Sequence, residues 1–262
     1  MSAIILRNEI VHYEVLGRGK PLLFVHGWIG SWRYWIPAMQ AASISYRAYA
    51  LDLWGFGDTT KIAGNYSLEQ QLSLLDEFIH ALGIGKIALV GHGVGAVLTW
   101  LYAQRNPGGV DRAVAVSLPH SHTAINPRLQ SASPAELADW LLGRSDVNEP
   151  VRSEAPKTDQ LAIQASLSGL KNFELNGSTL NIWIPILWIH GQNDPIIQTP
   201  DPQRLMALPE QAHFIPFDQS GHYPMLDEAS KFNRLLGDML SLESGASPRQ
   251  LQLKEEWKRR VR

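Results

Sequence analysis

The sequence predicts an α/β fold, a mostly parallel central sheet with helices on both faces. Three observations lead there. Short, continuous apolar runs such as Leu22-Leu23-Phe24-Val25, Ile87-Ala88-Leu89-Val90 and Ile186-Leu187-Trp188-Ile189 have the unalternated pattern of strands buried on both sides. Helical stretches separate many of these runs, and the clearest places Leu68, Leu72, Leu75, Ile79 and Leu82 on one face. Chemistry-bearing residues follow the predicted strands: His26, Gly93 and Asp194 directly, His222 a few residues on. Open parallel sheets place their sites at the carboxyl ends of strands, so these residues converge on one crevice.

In chain order, residues 4–7 and 10–16 alternate apolar and polar and read as an antiparallel edge hairpin. Gly17 to Pro21 is a turn, and 22–25 is a buried strand ending in His26-Gly27-Trp28-Ile29-Gly30. A helix begins near Trp32. The strand 46–51 ends in Asp52-Leu53-Trp54-Gly55-Phe56-Gly57-Asp58. Ser67-Leu68-Glu69-Gln70 has the capping-box pattern, with Ser67 as N-cap and Gln70 reaching back, and Gly83 ends the helix. Next come strand 87–90, the small-residue turn Gly91-His92-Gly93-Val94-Gly95, a helix from Val94 to about Gln104, and strand 112–118. The rhythm breaks at 119–185, where scattered Pro, Ser and Asn and short helical stretches at 135–142 and 158–167 read as an inserted helical cap. The sheet resumes at 186–190 and leads to Gly191-Gln192-Asn193-Asp194. A helix at 202–208, a strand at 212–217, Ser220-Gly221-His222-Tyr223-Pro224 and a helix at about 227–240 complete the fold. The expected organisation is a core of 1–118 and 186–242, a cap of 119–185, and a basic tail of 243–262. The tail sets Arg249, Lys254, Lys258, Arg259, Arg260 and Arg262 against Glu243, Glu255 and Glu256, and reads as solvated.

Composition narrows the function. A net charge of −2 offers no global field for nucleic acid or an anionic membrane surface. The absence of Cys excludes disulfides, thiolate catalysis and Cys-ligated metals. No run approaches the ~18 apolar residues of a membrane span, and no signal-peptide pattern is read at the N-terminus. The expectation is a cytoplasmic protein with a small-molecule partner, no nucleic acid, no cofactor and no metal. No H-E-x-x-H is present, and His120-Ser121-His122 alone is a weak metal signal.

Five motifs in order make a family likeness: His26-Gly27-Trp28, Asp52-Leu53-Trp54-Gly55-Phe56-Gly57, Gly91-His92-Gly93-Val94-Gly95, Gly191-Gln192-Asn193-Asp194 and Gly221-His222. The chain resembles the α/β-hydrolase fold superfamily with a short helical cap, from Ile4 to about Leu240. The third motif matches the G-x-S-x-G nucleophile elbow, and the order elbow, acid, histidine also fits. The resemblance implies that Asp194 is the acid, His222 the base, and the backbone N–H groups of Trp28 and Val94 the oxyanion donors. Gly93 stands at the nucleophile position and departs from the family pattern. His26 and His92 are expected to be structural, and Asp52 and Asp58 to fix their loop.

Without a side chain at 93, no acyl-enzyme can form there. Asp at that position would have suggested a dehalogenase or epoxide hydrolase, and the cap lacks the tyrosines that epoxide hydrolases use. Ser117 and Ser31 lie near the crevice, but neither is read as sitting on a strained elbow facing His222. A purely structural or interaction role would leave Asp194 and His222 unexplained, so two of three readings are favoured. One is non-covalent general-base chemistry by a His222–Asp194 dyad on a small apolar ester- or carbonyl-like molecule, with space left by the missing side chain. The other is a non-catalytic pseudo-enzyme, a receptor or carrier for such a molecule. Trp28, Trp54 and Trp140 are the expected apolar contacts to the ligand.

Overall fold

The computed structural model describes residues 2–143, 145–176 and 180–251. Eight strands form one sheet in the order β1-β2-β4-β3-β5-β6-β7-β8. They are β1 (Ser2–Leu6), β2 (Glu9–Leu16), β3 (Lys20–Val25), β4 (Tyr46–Leu51), β5 (Ile87–His92), β6 (Val110–Val116), β7 (Ile186–Gly191) and β8 (Ala212–Phe217). β2 pairs antiparallel with both β1 and β4, and all later pairings are parallel. Burial follows the sequence pattern. The continuous apolar run of β5 is buried at every position, whereas β1, at the sheet edge, alternates.

Ten α-helices occur among the described residues. α1 (Ile36–Ala42), α2 (Leu68–Ala81) and α3 (Val94–Arg105) connect the first strands. Between β6 and β7 the chain makes a helical excursion with α4 (Arg128–Ser131), α5 (Pro134–Leu141), α6 (Glu149–Glu154) and α7 (Gln160–Gly169). α8 (Pro202–Met206) precedes β8, and α9 (Pro224–Asp227) and α10 (Ala229–Ser241) follow it. No described helix is long and apolar enough to cross a membrane.

Local chemistry departs from expectation in four places. The chain enters α1 through a 3-10 turn, Trp32–Trp35, because Ser31 Oγ accepts the Arg33 N–H and tightens the start. At α2, Ser67 caps as expected, but Gln70 does not reach back; its side chain accepts from the Arg7 guanidinium. A reciprocal capping box instead opens α5, between Ser133 and Glu136. The tail is not wholly solvated. Arg249 donates to the carbonyls of Leu208 and Pro209, and Pro248 and Leu251 are buried. Lys254, Glu255, Glu256, Lys258, Arg259, Arg260 and Arg262 lie outside the described residues.

One buried carboxylate organises the loop after β4. Asp52 accepts from the Trp32 N–H at 2.9 Å, from the Asp58 N–H at 3.1 Å and from His12 Nδ1 at 2.9 Å. Gly57, with φ of 50°, passes so close that any side chain there would run into this carboxylate. Burial disfavours a charged His12, but the hydrogen bond and charge of Asp52 outweigh it and raise the His12 pKa above 6.5. A histidine whose pKa rises on folding adds stability that is complete below its unfolded pKa and is lost as pH climbs through its folded one. The urea stability gap between the unmodified chain and His12→Gln is therefore expected to be widest in mildly acidic buffer and to shrink as pH rises past neutrality. A gap that is flat or grows with pH contradicts the assignment.

Candidate active site

The turn between β5 and α3 is built by packing. A side chain at Gly91 would run into the Gly95 carbonyl, and one at Gly95 into the carbonyls of Val25 and His26. Gly93 itself has φ 54° and ψ −117°, a conformation that L side chains rarely adopt, and its N–H donates to the Val116 carbonyl at 2.9 Å. Helix α3 starts immediately after it with no side-chain cap. The Val94 N–H therefore opens the helix, at the positive end of its dipole. Neither it nor the Trp28 N–H has a hydrogen-bond partner among the described residues.

Asp194 and His222 meet from the loops after β7 and β8. Asp194 Oδ1 accepts the N–H groups of Ile196 at 2.8 Å and Ile197 at 3.0 Å, and Oδ2 lies 2.8 Å from His222 Nδ1. One oxygen thus closes the turn while the other pairs with the histidine. Burial pushes the Asp194 pKa up, but His222, His190 and the Ile197 N–H outweigh it and hold the pKa below 3.8. The carboxylate is therefore charged at neutral pH and accepts a hydrogen bond from the Nδ1–H of His222. His222 Nε2, the atom a general base would use, has no hydrogen-bond partner among the described residues.

The backbone of His222 is pinned from two strand ends. Its carbonyl accepts from His92 Nε2 at 2.8 Å and from Ser117 Oγ at 3.1 Å. His92 can donate from Nε2 because Nδ1 accepts from the Tyr34 hydroxyl, whose oxygen in turn accepts the Gly27 N–H at 2.6 Å. His92 is neutral here. Burial, reinforced by the neighbouring His222 imidazole, drives its pKa well below 6.5. Ser117 is strained, with φ of 47°, contrary to its reading from sequence, but its hydroxyl is committed to the His222 carbonyl. Ser31 is committed to its cap.

The other expected residues scatter. His26 is buried between the Gly27 carbonyl and the Leu53 N–H, which occupy both ring nitrogens. Trp54 is fully buried and its backbone is clamped by Gln71. Trp140 is half-buried, with the Arg128 guanidinium 4.5 Å from its ring centre. The space expected beside Gly93 is not open. A Cβ built there would lie 3.1 Å from Cε3 and 3.2 Å from Cζ3 of the Trp28 indole. The indole Nε1–H donates to Ser166 Oγ on α7. Ser166 belongs to no strand-end motif and is not legible in sequence; Tyr34 is legible there only as one of the aromatics after the first strand-end loop, not as a hydrogen-bond partner of His92. His12, Asp52 and Asp58 bring three donor atoms within 4.8 Å of one another, the only such group of three among the described residues. It is a poor cation site, because Lys157 already places its ammonium 2.9 Å from Asp58.

A family model described as alpha/beta hydrolase fold matches residues 20–144. The chain is 34% identical over 113 residues to human epoxide hydrolase 4, a match covering 42% of this chain and 31% of that protein. It is 26% identical over 258 residues to 2-hydroxy-6-oxo-2,4-heptadienoate hydrolase of Pseudomonas putida, covering 87% and 91%. Among solved structures, a meta-cleavage product hydrolase from Pseudomonas fluorescens superposes with a TM-score of 0.77 at 25% identity, over 92% of this chain and 97% of that one.

The geometry at 93 fixes the direction of one substitution. Gly93→Ala puts a Cβ on a backbone that resists it and against a buried indole. It is expected to cost about 1–3 kcal/mol in urea denaturation. An unchanged or raised midpoint contradicts the positive φ.

Proposed function

This chain belongs to the α/β-hydrolase fold superfamily, and we propose that it acts on a small, largely apolar ester- or carbonyl-like molecule by general-base chemistry, with no covalent enzyme intermediate. The observation that carries this reading is the 2.8 Å contact between His222 Nδ1 and Asp194 Oδ2 beside an elbow residue without a side chain. An imidazole oriented by a charged carboxylate has its second nitrogen available for proton transfer. In the hydrolytic case His222 Nε2 takes a proton from water as the water oxygen bonds to the carbonyl carbon. The charge that develops on the carbonyl oxygen is met by the N–H groups of Trp28 and Val94. The intermediate then collapses, the bond to the leaving oxygen breaks, and that oxygen takes the proton from the imidazolium.

The relatives support the substrate class, since they include proteins named as a heptadienoate hydrolase and a methyl ester esterase. Serine hydrolysis through an acyl-enzyme is absent in this reading, because Gly93 has nothing to acylate. Epoxide opening through a covalent ester is disfavoured for the same reason, and residues 119–185 contain no tyrosine. In this reading residues 119–185 serve as the cap, Trp28 is the apolar contact beside Gly93, and the protein works in the cytoplasm without metal or cofactor.

One observation favours the second reading, a pseudo-enzyme that binds without turnover. His222 is 2% exposed and Trp28 is wholly buried, which leaves little room beside the imidazole for the attacking water that turnover needs. A panel of small esters, lactones and β-diketones separates the two. The general-base reading expects slow hydrolysis by the unmodified chain and a loss of roughly 10²–10⁴-fold in His222→Ala. Turnover that survives His222→Ala removes the base from the account. A ligand that is retained and released unchanged by a folded chain with no turnover favours the receptor.

A further inference from the structure

The residue assigned to the oxyanion hole by its backbone also places a large side chain over the elbow. The Trp28 indole is fully buried. Its six-membered ring stands where a side chain at 93 would begin, 3.1 and 3.2 Å from the Cβ position. Its other end reaches into the helical excursion, where Nε1–H donates to Ser166 Oγ at 2.9 Å. Ser166 is itself 2% exposed, and its hydroxyl proton is spent on the Ile163 carbonyl at 2.7 Å. Its oxygen therefore offers only acceptor capacity toward the crevice.

That pairing is specific to this indole. The buried indole nitrogens of Trp32, Trp35, Trp54 and Trp188 have no hydrogen-bond partner among the described residues. The indole nearest the elbow is the one of these five that is matched to an acceptor on α7. The volume it fills is flat, bounded by Gly93 on one side, with a hydrogen-bond acceptor at the far end.

Resting on the reading of this crevice as a ligand site, we propose that Trp28 is its gate. The ligand it admits is a flat aromatic or heteroaromatic molecule with an N–H or O–H donor, which displaces the indole and takes over its hydrogen bond to Ser166. The donor requirement follows from the Ser166 hydroxyl, which is already donating and can only accept. The flatness follows from the shape of the side chain that is displaced. A rotation about the Cα–Cβ bond carries the ring off Gly93. The closed form lowers apparent affinity by the fraction of molecules that are open, so loosening the gate tightens binding.

The test uses indole as the probe and 1-methylindole, which has no donor, as its control. Nine Trp residues give a small set of indole N–H resonances in a ¹H–¹⁵N spectrum, and Trp28→Phe assigns the one from Trp28. Titrating the unmodified chain with indole is expected to shift or erase the Trp28 resonance, while 1-methylindole binds roughly fivefold more weakly, the scale of one net hydrogen bond. Trp28→Phe keeps an aromatic ring in place but cannot latch, and is expected to bind indole about tenfold more tightly by calorimetry. A Trp28 resonance unmoved at saturating indole, the absence of any binding, equal affinity for the two probes, or weaker binding by folded Trp28→Phe each overturn the proposal. None of these readouts depends on His222. Loss of the gate would leave the general base standing, and turnover surviving His222→Ala would leave the gate standing.

Discussion

The close approach of α3 to strands β3 and β5 is the constraint on which the site depends. Gly91 and Gly95 have backbone where any Cβ would sit, so the first turn of the helix lies directly against the ends of both strands. That contact forces the intervening residue to φ 54° and leaves the first helical N–H groups without a capping side chain. It also fixes where β3 ends, and so where Gly27 and Trp28 emerge. A catalytic serine in such a turn would carry backbone strain that glycine avoids. Glycine at 93 therefore takes up the turn without that strain, and the Trp28 and Val94 N–H groups beside it stay without a partner among the described residues.

Around the elbow, buried histidines act as neutral connectors. His26 ties the Gly27 carbonyl to the Leu53 N–H, and burial lowers its pKa. His92 links the Tyr34 hydroxyl to the His222 carbonyl. Each uses one nitrogen as donor and one as acceptor, so neither costs an unpaired polar group. Asp194 differs in kind. Two backbone N–H groups and a histidine keep it charged in a buried position, as a carboxylate must be to orient an imidazole. The helices between β6 and β7 close over this network through Trp28 to Ser166, Tyr66 to Asp159 at 2.8 Å, Arg33 to Glu154, and Asp58 to Lys157. The ion pairs involve partly exposed cations and contribute little to holding it shut; the buried indole covers the elbow itself.

Much of the fold was legible because β5, β7 and residues 113–116 of β6 are buried on both faces, and a strand buried on two sides leaves a continuous hydrophobic run. His222 and Asp194 were legible because each sits in a short glycine-marked loop after a strand. What was not legible depends on contacts distant in sequence. Gln70 has the spacing of a capping box, but Arg7 on the hairpin competes for its side chain. Ser117 looks like an ordinary residue at a strand end, yet its backbone is left-handed and its hydroxyl donates to the carbonyl of His222, in a loop far along the chain. The vacancy expected at Gly93 is filled by a ring from the end of β3, a packing relation that no local pattern encodes.

In the function proposed for it, this scaffold keeps a working base and uses no covalent step. Intact-protein mass spectrometry of the unmodified chain, taken while it turns over an activated ester, tests that claim most directly. The account predicts product release with the chain remaining at its unmodified mass throughout. An acyl adduct that forms and decays at the rate of turnover would contradict it.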